Sequence, residues 1–426
     1  MILVSMDLIS NGIFYIFTFL ALYAQVFFLI TFLENRKKIV VRDKKTALND
    51  YRAVTITIPC WNEEKTVEKT VESLLNLNYP QDKLQIFLVD DGSTDNTWQV
   101  IQKFTQYKNI KIFKKENGGK HTAVNLGLEN SVTDFFGCLD ADSYADGEAL
   151  ARIMSYFEKD PVAMAVVPSV IVGNPKNFIQ NAQKAEYHMV VYSKKMLGFL
   201  GAINVAPGPF TIFRKKVFQD LGPYHSGHGT EDMEIAFRMQ KNNYKIDHCN
   251  DAFVYTNTPR TFKKLFWQRV RWVYGFINNS LDYRSLLFKK KYGHFATFTL
   301  PLSVLSTVSF LYFIGQMIYN FIHFIYLKII QLNLIGFHPK INHFIFDPFF
   351  INLKVFTFLG IVLYLLTIFA IIFGRKMTQE KNLFSFKILY LVPVLGIITP
   401  LSILKGFYNT ILAKKPVWRQ GINSNY

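Results

Sequence analysis

Acidic residues in pairs are the first sign of chemistry in this chain. "CLDADS" holds Asp140 and Asp142 one residue apart, and "LVDDGSTDNT" holds Asp90 beside Asp91. Each pair closes a short apolar run that reads as a β-strand, and in open α/β sheets ligands bind beyond the carboxyl ends of the strands. Alternation along an extended chain predicts that Asp140 and Asp142 share one side, facing a single cation or its water shell. Hard divalent ions such as Mg2+ take oxygen ligands of this kind and keep substrate phosphates and waters in the rest of their shell. A lone D-x-D is weak, because acids are common in turns; two pairs at strand ends say more.

Three further segments could complete a site. "NGGKHTAVNLG" (117–127) lacks both the Walker spacing and the dinucleotide G-x-G-x-x-G. Its glycines ahead of Lys120 at a helix start still suit an anion, although a solvated helix start would look the same. In "HGTEDMEIAFRMQ", Thr230, Glu231 and Asp232 stand where a helix should begin, with Ile235, Met239 and Ala236 inward. Thr and Asp cap helices well; the functional alternative makes Asp232 a general base for an attacking hydroxyl. In "FWQRVRWVYG" (266–275), Gln268, Arg271 and Trp272 fall at i, i+3 and i+4 and share a helix face, with Arg269 and Val270 directed elsewhere. Arginine grips phosphate oxygens in a fork and tryptophan offers a flat apolar surface, so this face suits a leaving diphosphate and a stacked sugar ring. Arg269 is then read as a lipid-facing or structural charge.

The elements that must position these residues are short. "VTITIP" (54–59), "LQIFLVDDG" (84–92), "IKIFKK" (110–115), "DFFGCLD" (134–140) and "AMAVVPSVIV" (163–172) read as strands. Helices are expected over Glu64–Leu77, Thr94–Tyr107 and Lys120–Asn130. Such alternation implies an α/β fold with a mainly parallel, doubly wound sheet.

Around this insert the chain is apolar. Half of its 426 residues are hydrophobic and its net charge is +17. Much of the charge flanks apolar segments, as in "ENRKKIVVRDKK" (34–45), "KKKYG" (289–293) and "GRKMTQEK" (374–381). That distribution follows the positive-inside rule and favours a lipid bilayer over nucleic acid as partner. Gly12–Leu33 reads as a retained anchor and not a cleaved signal peptide, since its basic residues follow the apolar run. Phe295–Leu327, Val355–Phe373 and Phe384–Leu412 are the other apolar regions. Four crossings would leave "AKKPVWRQ" (413–420) outside, against the charge rule, so the last region, with Pro393, Gly396 and Pro400, is alternatively a broken or re-entrant element. The expected division is 1–33 anchor, 34–51 basic linker, 52–290 soluble domain with interfacial helices, 291–412 membrane region and 413–426 basic cytoplasmic tail. Cys60, Cys138 and Cys249 stand far apart without metal-ligand spacing, and His225 and His228 in "HSGHG" read as a turn.

Taken in order, "IPCWNEE", "LVDDGSTDNT", "NGGKHTAVNLG", "DAD", "TED" and "QRVRW" resemble the processive membrane glycosyltransferases of family 2, the cellulose, chitin, hyaluronan and poly-N-acetylglucosamine synthases. The resemblance covers roughly residues 52–285 and implies a GT-A type, Rossmann-like domain on the cytoplasmic side of the cell membrane, flanked by transmembrane helices. It further implies that Pro59, Glu63, Asp90 and Asp91 hold the uridine of a UDP-sugar and that Lys120 lies near the diphosphate. Asp140 would reach the donor, and Asp142, with Asp140, would hold Mg2+ or Mn2+. Asp232 would be the catalytic base; Gln268, Arg271 and Trp272 would serve the diphosphate and the acceptor. "GPFTIFRKK" (208–216) resembles the acceptor-side segment. His121 departs from the small residue frequent after Lys120. A single amino-terminal span fits the poly-N-acetylglucosamine type better than the hyaluronan type, and no cyclic-dinucleotide-binding extension argues for the bacterial cellulose type.

The implied reaction is inverting transfer from a UDP-sugar, UDP-N-acetylglucosamine first, to a growing β-linked polysaccharide. A single transfer giving a glycolipid is the alternative within the enzyme class; a transporter or scaffold that merely binds nucleotide is the alternative outside it. The sequence leaves open the donor sugar, the linkage and the need for an accessory membrane subunit.

Overall fold

The computed structural model describes residues 2–39, 46–335 and 355–416. In chain order its elements are α1 (Ile2–Asn35), β1 (Val54–Cys60), α2 (Val67–Leu75), β2 (Leu84–Asp91), α3 (Thr97–Gln102), β3 (Ile110–Lys115), α4 (Lys120–Asn130), β4 (Phe135–Cys138), β5 (Ser143–Ala145) and α5 (Ala149–Lys159). They continue with β6 (Ala163–Val172), α6 (Phe178–Phe199), β7 (Ile212–Arg214), α7 (Lys216–Leu221), α8 (Glu231–Lys241), β8 (Lys245–Thr256), α9 (Phe262–Asp282), α10 (Leu300–Ile335), α11 (Val355–Met377) and α12 (Leu391–Ile411).

The strands form one sheet in the order β3-β2-β1-β4-β7-β6-β8-β5. β3, β2, β1 and β4 are parallel neighbours, as the alternating pattern predicts. β7 runs antiparallel to both β4 and β6, and β5 antiparallel to β8, so the sheet is mixed and not simply doubly wound. Val54, Ile56 and Ile58 of β1 and Leu84, Ile86 and Leu88 of β2 point to one face, where they pack with Val67, Val71 and Leu74 of α2 and Ile153 and Phe157 of α5. Phe136, Val167, Ile235 and Met239 pack on the opposite face with Val124 and Leu128 of α4. Period-two side chains sandwiched between helical faces are what an α/β sheet requires.

Two expectations about local structure need correction. β4 ends at Cys138, and Asp140–Ser143 form a turn closed by the Ser143 N–H donating to the Asp140 carbonyl (2.9 Å). The two acids are therefore set by a turn, not by strand alternation, because the chain must reverse before β5 pairs with β8. The last apolar region is likewise not broken: α12 is continuous through Pro400. Pro393 sits in its first turn, where a missing N–H costs nothing.

Among the described residues four helices are long and apolar enough to cross a membrane: Tyr15–Lys38, Phe295–Leu334, Phe358–Met377 and Phe386–Ile411. Contacts divide the chain into two units, Met1–Phe27 with Leu302–Ile368 and Phe28–Pro301 with Phe369–Tyr426. In the first unit, the Phe17 ring lies 5.7 Å from both Tyr312 and Phe313. In the second, Phe32 of α1 meets Tyr192 of α6 and Phe369 and Phe373 of α11. Gly374 permits this packing, since a Cβ there would overlap the His188 carbonyl of α6. Residues 40–45 of the expected linker and 417–426 of the expected tail lie outside the described residues.

Candidate active site

The carboxyl ends of β1 and β2 build a pocket rim from short polar side chains. Asn62 adopts a left-handed φ of 55°, and its Oδ1 accepts from the Thr94 N–H (2.8 Å). The Glu63 N–H donates to Thr97 Oγ (2.7 Å), and Asp95 accepts from the N–H groups of Glu64 (3.3 Å) and Thr97 (2.9 Å). These bonds lace "WNEE" to "GSTDNT". Glu63 itself accepts from Thr66 Oγ (2.6 Å), and Pro59 at the end of β1 is half-buried. Asp90 is fully buried; the Ser93 N–H donates to its Oδ1 (3.2 Å), while Oδ2 meets no hydrogen-bond partner among the described residues. Buried acceptors are rarely left without a donor, so Asp90 Oδ2 invites a ligand N–H.

Asp91 does a different job from Asp90. Lys115 Nζ (2.6 Å) and the Gly118 N–H (3.0 Å) reach its Oδ1, and the Gly119 N–H (2.9 Å) reaches its Oδ2. The glycine loop was expected to offer these backbone donors to an anion; the anion it holds is the chain's own carboxylate. Asp91 is thus a clamp for the loop, with both oxygens engaged.

Lys120, at the first position of α4, also has protein partners. Its ammonium lies 2.5 Å from Asp140 Oδ1 and 3.0 Å from Glu231 Oε1. Burial pulls the ammonium toward neutrality, but Asp140 and then Glu231 outweigh it and hold Lys120 well above the usual lysine range. The reciprocal effect falls on Glu231: burial raises its pKa, yet Lys120 and Arg271 bring it below the ordinary carboxylate value. Gly208 closes over this group, where any Cβ would press on the Lys120 ammonium and lie 3.0 Å from Asp140 Oδ1. One lysine therefore ties the D-x-D turn to the start of α8.

Asp232 follows Glu231 on α8. The Met233 N–H donates to its Oδ1 (2.9 Å), and burial, assisted by the charge of Glu231, pushes its pKa up to about 6. The capping alternative for this segment does not hold for Thr230, which makes no side-chain cap bond. Its hydroxyl instead donates to the Gly227 carbonyl (2.8 Å) and accepts from Asn279 Nδ2 (3.0 Å) on α9. α9 approaches so closely because residue 275 is glycine; a Cβ there would overlap Thr230.

α9 supplies the remaining wall. Arg271 Nη1 donates to the Gly229 carbonyl (2.6 Å), bracing the turn before Asp232. Gln268 Oε1 is buried and has no hydrogen-bond partner among the described residues. The expected separation of Arg269 from this face does not hold. Its guanidinium stacks 4.4 Å from the Trp272 ring centroid while its fork grips Glu186 of α6 (2.8 and 2.6 Å). Arg269 is a structural charge that fixes the indole, not a lipid-facing one. Val270 is buried, as expected.

α6 contributes two residues that sequence reasoning missed. Burial raises Tyr187 to about 12, with the Arg269 charge opposing and those of Glu186, Asp142 and Asp140 adding to it. Burial lowers Lys194 to about 8, with the Asp232 charge opposing. The two are seven residues apart, two helical turns, so they share a face. That spacing was readable, but nothing in the sequence marked α6 as adjoining the acids.

Asp142 is half-buried, and its Oδ1 accepts from Ser143 Oγ (3.1 Å). Among the described residues no group of three or more His, Cys, Asp or Glu side chains is arranged to hold a metal ion. With Asp140 engaged by Lys120, the donor set fits a cation that completes its shell with substrate oxygens and water, as Mg2+ and Mn2+ do. Cys60, Cys138 and Cys249 are free and buried; His228 sits in the tight turn Gly227–Gly229, its Nε2 donating to Asp282 Oδ2 (2.8 Å), and His225 Nδ1 lies 3.4 Å from Glu234 Oε1.

Residues 55–222 match the family described as Glycosyl transferase family 2. A poly-beta-1,6-N-acetyl-D-glucosamine synthase of Staphylococcus epidermidis is 26% identical over 375 residues, covering 87% of either chain. One of the same name from Staphylococcus aureus (strain COL) is 31% identical over 237 residues, covering 55% of this chain and 57% of its own, little more than half its length. A mannosyltransferase from Pyrobaculum calidifontis, solved in complex with GDP-Man and Mn2+, has a TM-score of 0.56 at 16% identity, covering 95% of this chain and 99% of its own. The shared fold is of the GT-A type.

Proposed function

We propose that this glycosyltransferase, which carries a family 2 domain over residues 55–222, extends a β-linked polysaccharide by inverting transfer from UDP-N-acetylglucosamine at the cytoplasmic face of a membrane. The observation that carries the reading is Lys120 bridging Asp140 and Glu231, which sets the D-x-D turn beside the Asp232 carboxylate. The names of the relatives, poly-beta-1,6-N-acetyl-D-glucosamine synthases, support the donor and the product class.

In this mechanism the open Asp90 Oδ2 accepts the base N–H of the donor, beside Pro59 and Glu63. Asp142, with Asp140, would hold Mg2+ or Mn2+, which would supply positive charge toward the leaving diphosphate. Arg271 adds a preorganised cation to the same charge, the kind of effect that is often the largest in such a site. Asp232 takes the proton of an acceptor hydroxyl as that oxygen attacks the anomeric carbon from the face opposite UDP, so an α-linked donor yields a β-linkage. Trp272, held by Arg269, offers the acceptor ring a stacking surface, and Gln268 Oε1 offers an acceptor for one of its hydroxyls. Holding both reactants in line is worth much of the barrier.

Membranes carrying the protein, given a panel of UDP-sugars with Mg2+ or Mn2+, should release UDP fastest with UDP-N-acetylglucosamine and accumulate a polymer that resists lipid extraction. A glycolipid of defined mass as sole product would replace the polymer reading with single transfer to lipid.

Asp142 also predicts a coupling. Because the protein supplies few metal ligands, cation and UDP should each bind weakly alone and tightly together, the reciprocal behaviour that linkage demands. Titration calorimetry should show UDP affinity rising about tenfold or more when Mn2+ is added. Asp142→Asn should abolish that gain while leaving metal-free UDP affinity unchanged; an intact gain in the variant would move the cation elsewhere.

A further inference from the structure

The connection between α11 and α12 holds a second site, away from the acids. Residues 378–385 join two of the apolar helices long enough to cross a membrane, Phe358–Met377 and Phe386–Ile411. Between this connection and α6 lies a cavity of about 420 Å³. Lys184 of α6, Arg375 at the end of α11, and Lys381 and Lys387 line it, against the single carboxylate of Glu380.

That carboxylate is already engaged. Glu380 Oε1 lies 2.6 Å from Lys184 Nζ and 3.7 Å from His188 Nε2, and its other oxygen 3.8 Å from Arg375. Arg375 Nε also donates to the Asn382 carbonyl (2.9 Å), which fixes the guanidinium at the cavity wall. Lys381 and Lys387 have no ion-pair partner among the described residues. The cavity thus presents two uncompensated ammonium groups beside an ordered cationic wall.

Its surroundings indicate where the anion comes from. Phe384, which lines the cavity, is 76% exposed, and the neighbouring Phe386 is 91% exposed. Apolar rings this exposed at the start of an apolar helix mark a membrane-facing surface. Because α6 belongs to the domain that carries the acids, the cavity opens on that domain's side of the bilayer. Basic pockets between membrane helices on such a face bind phosphate-bearing headgroups.

We propose that this cavity binds the phosphoryl headgroup of an anionic phospholipid. Its phosphate accepts from Lys381 and Lys387, its acyl chains run beside Phe384 and Phe386, and the bound lipid ties α6 to the α11–α12 connection. A free phosphate would satisfy the same ammonium groups but not the exposed rings.

The test uses the full chain in nanodiscs of phosphatidylcholine alone or with part of the lipid replaced by phosphatidylglycerol, followed by native mass spectrometry of detergent-released protein and thermal melting. Retained phosphatidylglycerol and a higher melting temperature are expected. The double variant Lys381→Gln/Lys387→Gln should weaken retention about tenfold or more. Lys289→Gln/Lys290→Gln, which removes the same charge elsewhere, should not. Equal loss in both variants would reduce the effect to general surface charge and overturn the site. Stabilisation by inorganic phosphate in lipid-free detergent, with no response to phosphatidylglycerol, would overturn the lipid as its occupant.

Discussion

Asp232→Asn is expected to lower turnover by about 10³-fold or more, within the range that general-base catalysis supplies, while UDP affinity changes little. The amide keeps the shape of the side chain but cannot take the acceptor proton. The pH profile gives the same claim a second readout. Burial and Glu231 raise Asp232 to about 6, and only the ionised form is a base. Turnover should therefore be flat above that value and fall about tenfold per unit below it, the behaviour of one protonation switching off one base. The sign for stability is opposite. A carboxyl whose folded pKa lies above its unfolded value costs stability where it is ionised, above about pH 6, and the cost is relieved as the pH falls toward the ordinary aspartate range. At pH 8 the variant should then melt no lower than the parent while losing its activity. A marked drop in melting temperature together with retained turnover would remove Asp232 from the base role and make it a structural carboxylate.

What the sequence shows of this site depends on whether a residue's partners are near it in the chain. β1, β2 and α4 were legible because β-branched runs and a glycine-marked helix start are local signals, and α4 begins and ends where expected. β8 was not, because Asp247, His248, Asn250 and Asp251 interrupt its apolar pattern. Of these, His248, Asn250 and Asp251 are buried, and residues distant in the chain meet them, as when Ser169 Oγ lies 3.3 Å from His248 Nε2. α6 escaped for a related reason: Glu186, Tyr187 and Lys194 look like a solvated face until Arg269 and the acids are placed against them.

Two misreadings could have been avoided. Adjacent residues in a strand point to opposite sides, so Asp90 and Asp91 were bound to divide their roles. Arg269 and Trp272 are three apart on a helix and so are neighbours; the pairing went unread because attention went to Gln268 and Arg271. The D-x-D turn is different. Only the antiparallel pairing of β5 with β8, more than a hundred residues on, fixes where the chain must reverse.

Lys120→Met should produce the other large loss, and its pH dependence identifies the cause. Without the ammonium, Asp140 and Glu231 face one another unpaired, and removing one partner of a buried ion pair typically costs roughly 3–5 kcal/mol. Asp140 is 29% exposed at its side chain, which favours the lower end of that range. In the parent, Glu231 is held below its ordinary value, so its contribution is present above the unfolded carboxylate pKa and is lost as the pH falls through the depressed one. In the variant, burial acts on Glu231 with less opposition, and ionising it now costs stability. The gap in melting temperature between parent and variant should therefore be wider at pH 8 than at pH 5. Lys120 also lowers the pKa of Asp232, so the acid limb of the rate profile should move to higher pH in Lys120→Met. Turnover at pH 7 should fall about 10²-fold or more as the base becomes protonated and the D-x-D turn loses its anchor. Melting curves at the two pH values and a rate profile on the same preparation decide the matter. A constant gap with an unmoved limb would mean that Lys120 merely fills space, and the link between the D-x-D turn and the base would have to be sought through Arg271 and the Gly229 carbonyl instead.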